Sequence, residues 1–382
     1  HAHLDHCGRL PFLTKAGYSG KIYTTEATKI ITRISLLDAA KVSHEDNRGT
    51  ELYSPQDVEE TCALLETVSY DVPFTVFGFT ITFVDAGHIL GSASIKISDK
   101  NGSTIVFSGD LGNTPQDLIA PTKYINSADI VVMESTYGGS THPVEDVFAS
   151  LQAEINTIEK DQAALVIPAF SIQRTQEILH KIGHLKRDGK IKNKTPVFLD
   201  SPMAISVTEV FKDFPNLYNH ELSRDESPFD FPGLIFTRTS AESKNILNIG
   251  SGKIVIAGGG MMSGGRILHH LKNYLPHAGN RLLIVGYQAA GTLGRAIEEG
   301  AKQIKIHGKE VSIAATITKL SSLSSHADQP KLLTWLKHIS GVKKVFLVHG
   351  EDEPRSILAK KISQELGISD ITLPVLNQEV RL

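Results

Sequence analysis

Apolar positions early in the chain follow two patterns. From Thr24 to about Ala40 they recur at three- and four-residue spacing, which predicts an amphipathic helix. The stretch LYSPQDVEETCALLETV from Leu52 predicts a second helix, with Ser54 as N-cap and Pro55 in the first turn. Runs rich in Val, Ile, Phe and Thr, bounded by Gly, Asn or Asp, predict strands at 74–85, 93–98, 104–108 and 129–133. Beyond Gly138 the pattern changes to strand then helix, repeatedly. ALVIPA at Ala164, PVFLD at Pro196, LIFT at Leu234, KIVIAG at Lys253 and RLLIVG at Arg281 are continuous apolar runs. Strands of that kind, alternating with helices, predict a parallel sheet covered on both faces, a Rossmann-like subdomain. After Gly300 come a hairpin, KQIKIHGKEVSI, with His307 as a structural turn residue, then the helix QPKLLTWLKHI and the strand KKVFLV. The expected organisation of this α/β chain is one domain built from 1–137 and 301–382, with 138–300 inserted into it.

Composition narrows the class without naming a chemistry. A length of 382 residues predicts two to three domains with ample core. Hydrophobic residues at 41% and charged residues at 21% describe an ordinary globular chain. No run of about 18 apolar residues occurs, so no membrane span is expected. Cys7 and Cys62 are too few for a disulfide scaffold, which points to a reducing cytoplasm, with Cys7 as a small buried filler. A net charge of −3 lacks the global basic signature of a non-specific nucleic-acid binder. The basic run from Lys181 to Lys194 reads as a solvated helix end and loop.

The candidate chemistry begins at the first residue. His1, His3, Asp5 and His6 form the run HAHLDH, and imidazole with carboxylate is the donor set that zinc accepts. His88 follows the run TVFGFTITFV, Asp110 follows STIVFSG, and His349 ends KKVFLVHGE. Each sits where a strand gives way to a glycine-containing loop, and such loops can aim ligands at one point. Glu134 follows four apolar residues in the same manner. His326 precedes a helix that Ser324, Ser325 or Asp328 could cap, and an imidazole near its usual pKa can donate a proton to a leaving oxygen. Arg174 and Arg295 suit phosphate through their planar forks, as does Arg266 at the end of the glycine-rich AGGGMMSGGR, whose amides could cradle a phosphate. Arg174, Ser201, Gly258 and Gln288 fall at carboxyl ends of the predicted parallel strands, where such sheets take ligands.

HxHxDH followed by a separate His, a separate Asp and a late His resembles the metallo-β-lactamase superfamily. The long segment after MESTYG resembles the β-CASP insert of its nucleic-acid-cleaving members, through PAFSIQRTQEIL, DSPMA, GYQAAGTLGR, SSHAD and HGE. The group includes the endonuclease subunit of the cleavage and polyadenylation machinery and its prokaryotic relatives. The resemblance implies an αββα sandwich carrying a Rossmann-like β-CASP subdomain. It also implies two Zn2+, with Mn2+ as the alternative metal: His1, His3, His88 and Asp110 on one, Asp5, His6, Asp110 and His349 on the other, Asp110 bridging. Glu134, His326 and His349 would be the three β-CASP motifs, with His326 and Glu134 as proton donor and Asp5 as a further catalytic group. Arg174, Ser201, Arg266 and Arg295 would contact RNA phosphate. Two metals about 4 Å apart clamp the oxygens of an in-line displacement. The implied substrate is single-stranded RNA, cut internally or from the 5′ end, by a chain that could form a homodimer. A DNA nuclease of the same group is the alternative, although its third motif is typically apolar where this chain has His349. An inactive RNA-binding scaffold subunit is a further alternative, and the insert argues against a small-molecule hydrolase. In the family several strands precede HxHxDH. A chain without them is expected to expose a sheet edge and to be marginal alone.

Overall fold

Ser54 begins its helix by a capping box: its Oγ accepts from the Asp57 N–H at 3.2 Å, and the Asp57 carboxylate accepts from the Ser54 N–H at 2.7 Å. The computed structural model describes residues 1–45, 52–114, 116, 118–225, 227–250 and 252–380. They divide into two compact units. The first comprises His1–His142, Asn216–His220 and Ser325–Leu382, the second Pro143–Pro215 and Glu221–Ser324.

In the first unit a seven-stranded sheet has the spatial order Ile371–Thr372, Lys344–Leu347, Ile130–Met133, Thr104–Phe107, Ala93–Ser98, Phe79–Asp85, Phe74–Val76. The first four of these pair in parallel and the remainder antiparallel. Its core packs Val106, Val131, Val345 and Leu347 against Trp335 and Leu336 of the helix Gln329–Lys337 and Leu358 of Asp352–Leu366. A full burial of this kind contributes roughly 1.5–3 kcal/mol per aliphatic side chain. The helix expected from Thr24 runs over Glu26–Glu45. Cys7 is buried among Leu36, Tyr53, Val58 and Cys62, as a filler would be.

Two sequence expectations change here. The single strand expected over 74–85 is a hairpin, because Phe77 and Gly78 both take positive φ, 49° and 84°, and reverse the chain. The helix from Leu52 ends at Ala63, and Leu65–Thr67 forms a parallel pair with Ile22–Thr24. That pair is a second, two-stranded sheet of the first unit.

The second unit holds a six-stranded sheet, parallel throughout, in the order Leu234–Phe236, Val197–Asp200, Lys253–Gly258, Ala164–Ala169, Arg281–Ile284, Thr316–Lys319. Ala164–Ala169 and Val197–Asp200 are buried at every position, which accounts for their continuous apolar runs. The expected return to the first domain at 301 comes later. Thr316–Lys319 adds a sixth strand to this sheet, and the second unit extends to Ser324. The hairpin Gln303–Ile306 with Lys309–Ser312 forms as expected, His307 turning at φ 48°. The basic run is less solvated than its composition suggested. Lys181 and Lys186 are buried, and the Lys186 ammonium donates to the carbonyls of Asn193, Thr195 and Pro232, which satisfies all three of its protons.

Candidate metal centre

One helical turn gathers the first candidate ligands. Leu4–Cys7 is helical with His3 as N-cap, so His3 and His6, three residues apart, come onto one side. The turn is anchored from below. Ala2 is fully buried, and its carbonyl accepts from Ser35 Oγ at 3.2 Å and Cys7 Sγ at 3.5 Å. His88 leaves the strand Phe79–Asp85 in a loop that passes against the loop carrying Asp110. A Cβ on Gly112 would lie 1.7 Å from the Gly87 carbonyl oxygen, so only glycine permits that approach. His349 follows the strand Lys344–Leu347 and takes φ 51°, an uncommon conformation for a residue with a side chain.

These residues converge. His3 Nδ1 is 3.1 Å from His1 Nε2 and 3.3 Å from His88 Nε2. Asp110 Oδ2 is 3.4 Å from His1 Nε2, 3.6 Å from His88 Nε2 and 3.2 Å from His6 Nε2, while Oδ1 is 3.5 Å from His349 Nε2. His349 Nε2 and His6 Nε2 are each 3.8 Å from Asp5 Oδ2. A tetrahedron with ligands about 2.0–2.1 Å from zinc has edges of about 3.3–3.4 Å, so the donors of the first group already stand at coordination spacing. Asp110 Oδ1 is buried and, among the described residues, receives no hydrogen bond, a cost that a cation would remove. The His1, His3, His88 and Asp110 group and the Asp5, His6 and His349 group both fit a zinc-type ion. The first is enclosed, whereas Asp5 is 60% exposed, which leaves the second side open to an incoming molecule.

Electrostatics keep the donors in ligand form. Burial pushes the His3 imidazole down to about 4 and His88 well below its ordinary value, so both are neutral near pH 7. His88 Nδ1 lies 3.2 Å from the Ser325 carbonyl, which holds its proton there and turns Nε2 to the centre. Burial alone would raise Asp110. The His6 hydrogen bond and the surrounding imidazoles outweigh it and hold the carboxyl well below its usual range.

Beside the donors stand Glu134 and His326. His326 Nδ1 lies 3.2 Å from both Glu134 oxygens, and Glu134 Oε1 accepts the Leu111 N–H at 2.6 Å. Burial alone would lower the His326 pKa; the Glu134 carboxylate outweighs it and raises the imidazole to about 9. His142 Nε2, 3.0 Å from the His326 carbonyl, braces that segment. His142 and the Ser325 carbonyl were missed from the sequence. A histidine outside any ligand pattern and a backbone oxygen carry no local signal.

The residues expected to contact phosphate all lie in the second unit, each with partners of its own. Arg174 is buried and paired with Glu177. Ser201 caps the helix Pro202–Asp213 and lies 3.1 Å from Ser171 Oγ. Arg266 donates to Asp200 at 2.7 Å and to the carbonyls of Thr237 and Arg238. Arg295 donates from Nε to the Gln288 carbonyl at 2.8 Å, with Nη1 3.6 Å from Glu299. The buried Asp200 accounts for the Arg266 pairing, because an ionised carboxylate there must be paired.

Comparison with known proteins supplies the remaining observations. A family model described as "Beta-Casp domain" matches residues 175–297, and one described as "Zn-dependent metallo-hydrolase RNA specificity domain" matches 310–374. The chain is 36% identical over 377 residues to "Ribonuclease TTHA0252" of Thermus thermophilus, covering 97% of this chain and 85% of that protein. It is 31% identical over 388 residues to "RNase aCSPSF2" of Saccharolobus solfataricus, with 100% and 74% covered. It is 31% identical over 356 residues to "RNase J-like protein" of Methanocaldococcus jannaschii, with 92% and 80% covered. These alignments extend over nearly the whole chain, beyond the segments matched by the two family models.

Proposed function

Because the chain belongs to the β-CASP family of Zn-dependent metallo-hydrolases within the metallo-β-lactamase superfamily, we propose that it hydrolyses phosphodiester bonds of single-stranded RNA with two bound zinc ions. The observation that carries the reading is Asp110. Its two oxygens reach His1, His6, His88 and His349 at 3.2 to 3.6 Å, so one carboxylate serves both ligand groups. His1, His3, His88 and Asp110 would hold the first ion, and Asp5, His6, Asp110 and His349 the second, with Mn2+ as the alternative metal. When bound, the ions supply Lewis acidity and positive charge against the phosphate.

The chain's own groups supply the proton traffic. Glu134 accepts at His326 Nδ1 and fixes the ring, so the other nitrogen presents its proton to the departing 3′ oxygen. Asp5, 60% exposed, accepts the proton of the attacking water. Products carry a 5′ phosphate and a 3′ hydroxyl. Since water is the nucleophile, the preference for RNA rests on shape and contacts and not on the 2′-hydroxyl as a reactant. Cys7 and Cys62 are buried and unpaired with each other, in keeping with a reducing compartment such as the cytoplasm. Among the described residues no helix is long and apolar enough to cross a membrane.

The test pairs the zinc-loaded chain with one RNA labelled at either end and a DNA of the same sequence, beside Asp110→Ala. Internal cuts in RNA, absent with the variant, are expected. Stepwise loss of 5′ nucleotides would move the mode to exonucleolytic. Intact RNA with zinc bound would overturn the reading.

A further inference from the structure

Outside that centre a second cluster of donors lies in the other unit. His180 and His184 occupy successive turns of the helix Arg174–Arg187, with ring centroids 4.4 Å apart and planes at 81°. Histidines at i and i+4 project from one helix face, the spacing by which a helix offers two imidazoles to a single ion. Asp225 follows the short 3₁₀ turn Leu222–Arg224, so it comes from a different element. One donor atom from each of the three lies within 4.8 Å of the others. His180 is buried, and His184 and Asp225 are half-buried.

We propose that His180, His184 and Asp225 form a further divalent-metal site of the zinc class, one that pins the carboxyl half of the helix Arg174–Arg187 to the turn at Asp225. Two imidazoles select borderline ions such as Zn2+, Co2+ and Ni2+ over Mg2+ and Ca2+, and a 2-His-1-carboxylate set leaves positions for water. Burial, then the Arg187 charge, lowers the His184 pKa, which keeps that ring neutral and able to ligate near pH 7. The immediate competitor is in view. Arg187 Nη2 is 2.8 Å from Asp225 Oδ2, and Asp225 Oδ1 accepts the Ser227 N–H at 3.0 Å. Arg187 is 35% exposed and can turn to solvent when an ion takes its place at the carboxylate. Lys181, whose Nζ lies 4.5 Å from the Phe148 ring centroid, adds a second positive charge nearby. The site is therefore expected to be weaker than the Asp110 centre, and occupied according to the ambient metal concentration.

The probe is zinc alone, read as bound equivalents after equilibrium dialysis of the full chain, with no substrate and no activity measured. This keeps the outcome separate from that of the nuclease reading. His184→Gln is expected to bind one equivalent fewer than the parent. Arg187→Gln, which frees Asp225, is expected to bind that equivalent roughly two- to fivefold more tightly, and a folding defect would not produce such a gain. Equal zinc content in the parent and His184→Gln would overturn the site. So would an unchanged affinity in Arg187→Gln, which decides the matter if His184→Gln does not fold.

Discussion

A carboxylate proposed to serve two cation sites must stay ionised and out of bulk water, and the neighbours of Asp110 secure both. It is 2% exposed, and the imidazoles around it hold its pKa down in spite of burial. His326 is treated in the opposite sense, with Glu134 holding it protonated near pH 7. Removing the proton donor proposed at this position should be felt in turnover more than in binding. His326→Ala is expected to lower kcat roughly 10²–10⁴-fold with a smaller change in KM, and Glu134→Gln to lower it less than additively with it. Equal effects on kcat and KM would point to a role in substrate binding instead. Asp85 offers a test of electrostatics away from the ligands. Burial raises its carboxyl to about 6, against the bond it accepts from the Gly87 N–H at 2.8 Å and the Lys123 charge. A folded-state pKa above the unfolded value makes a stabilising contribution that is complete below about pH 4 and lost as pH rises through 6. Stability should fall by up to about 3 kcal/mol from pH 4 to 7 in the parent, and this component should vanish in Asp85→Asn. Urea unfolding at the two pH values measures it, and identical pH slopes would refute the assignment.

At the scale of elements, the candidate ligands are carried by ends. Asp110, His88 and His349 each follow a sheet strand within three residues, and the first four donors sit on or beside one helical turn. Such ends are positioned by the strands beneath them, so the centre inherits the rigidity of the sheet. The helix Pro55–Ala63 shows how local chemistry sets a boundary. Its capping box satisfies amide protons at Ser54 and Asp57, and Ser54→Ala is expected to cost about 1 kcal/mol in urea unfolding. A loss below about 0.3 kcal/mol would mean that water replaces the box at no net cost. Ser54, Pro55 and the helix start were legible because capping depends on neighbours in sequence. The Phe77–Gly78 turn was not, since Phe is an unusual residue at positive φ and the run around it reads as one strand.

For the molecule as a whole, two cores imply two stabilities. Trp335, the single tryptophan, lies in the core of the first unit beside Leu336. The core of the second unit packs residues such as Val166, Leu271, Leu282 and Ile304. Leu336→Ala is expected to cost about 2–5 kcal/mol and to lower the midpoint read by tryptophan fluorescence. A second transition, followed by circular dichroism, should stay in place. Coincident shifts in both signals would show that the units unfold as one cooperative body.

What the sequence determined by itself was the alphabet of the site and the class of the fold. Donor identity in HAHLDH, strands ending in glycine-containing loops and the change to continuous apolar strands separated by helices are all local or periodic properties, so they can be read along the chain. Tertiary structure alone decided which groups meet. Glu134 and His326 are 192 residues apart, the Ser325 carbonyl orients a histidine 237 residues away, and Arg266 pairs with Asp200. It also decided that Thr316–Lys319 joins the second sheet, setting the extent of that unit at Ser324. Strand order, register and the partner of a buried charge follow from the packing of many distant segments at once, and no spacing within a single segment encodes them.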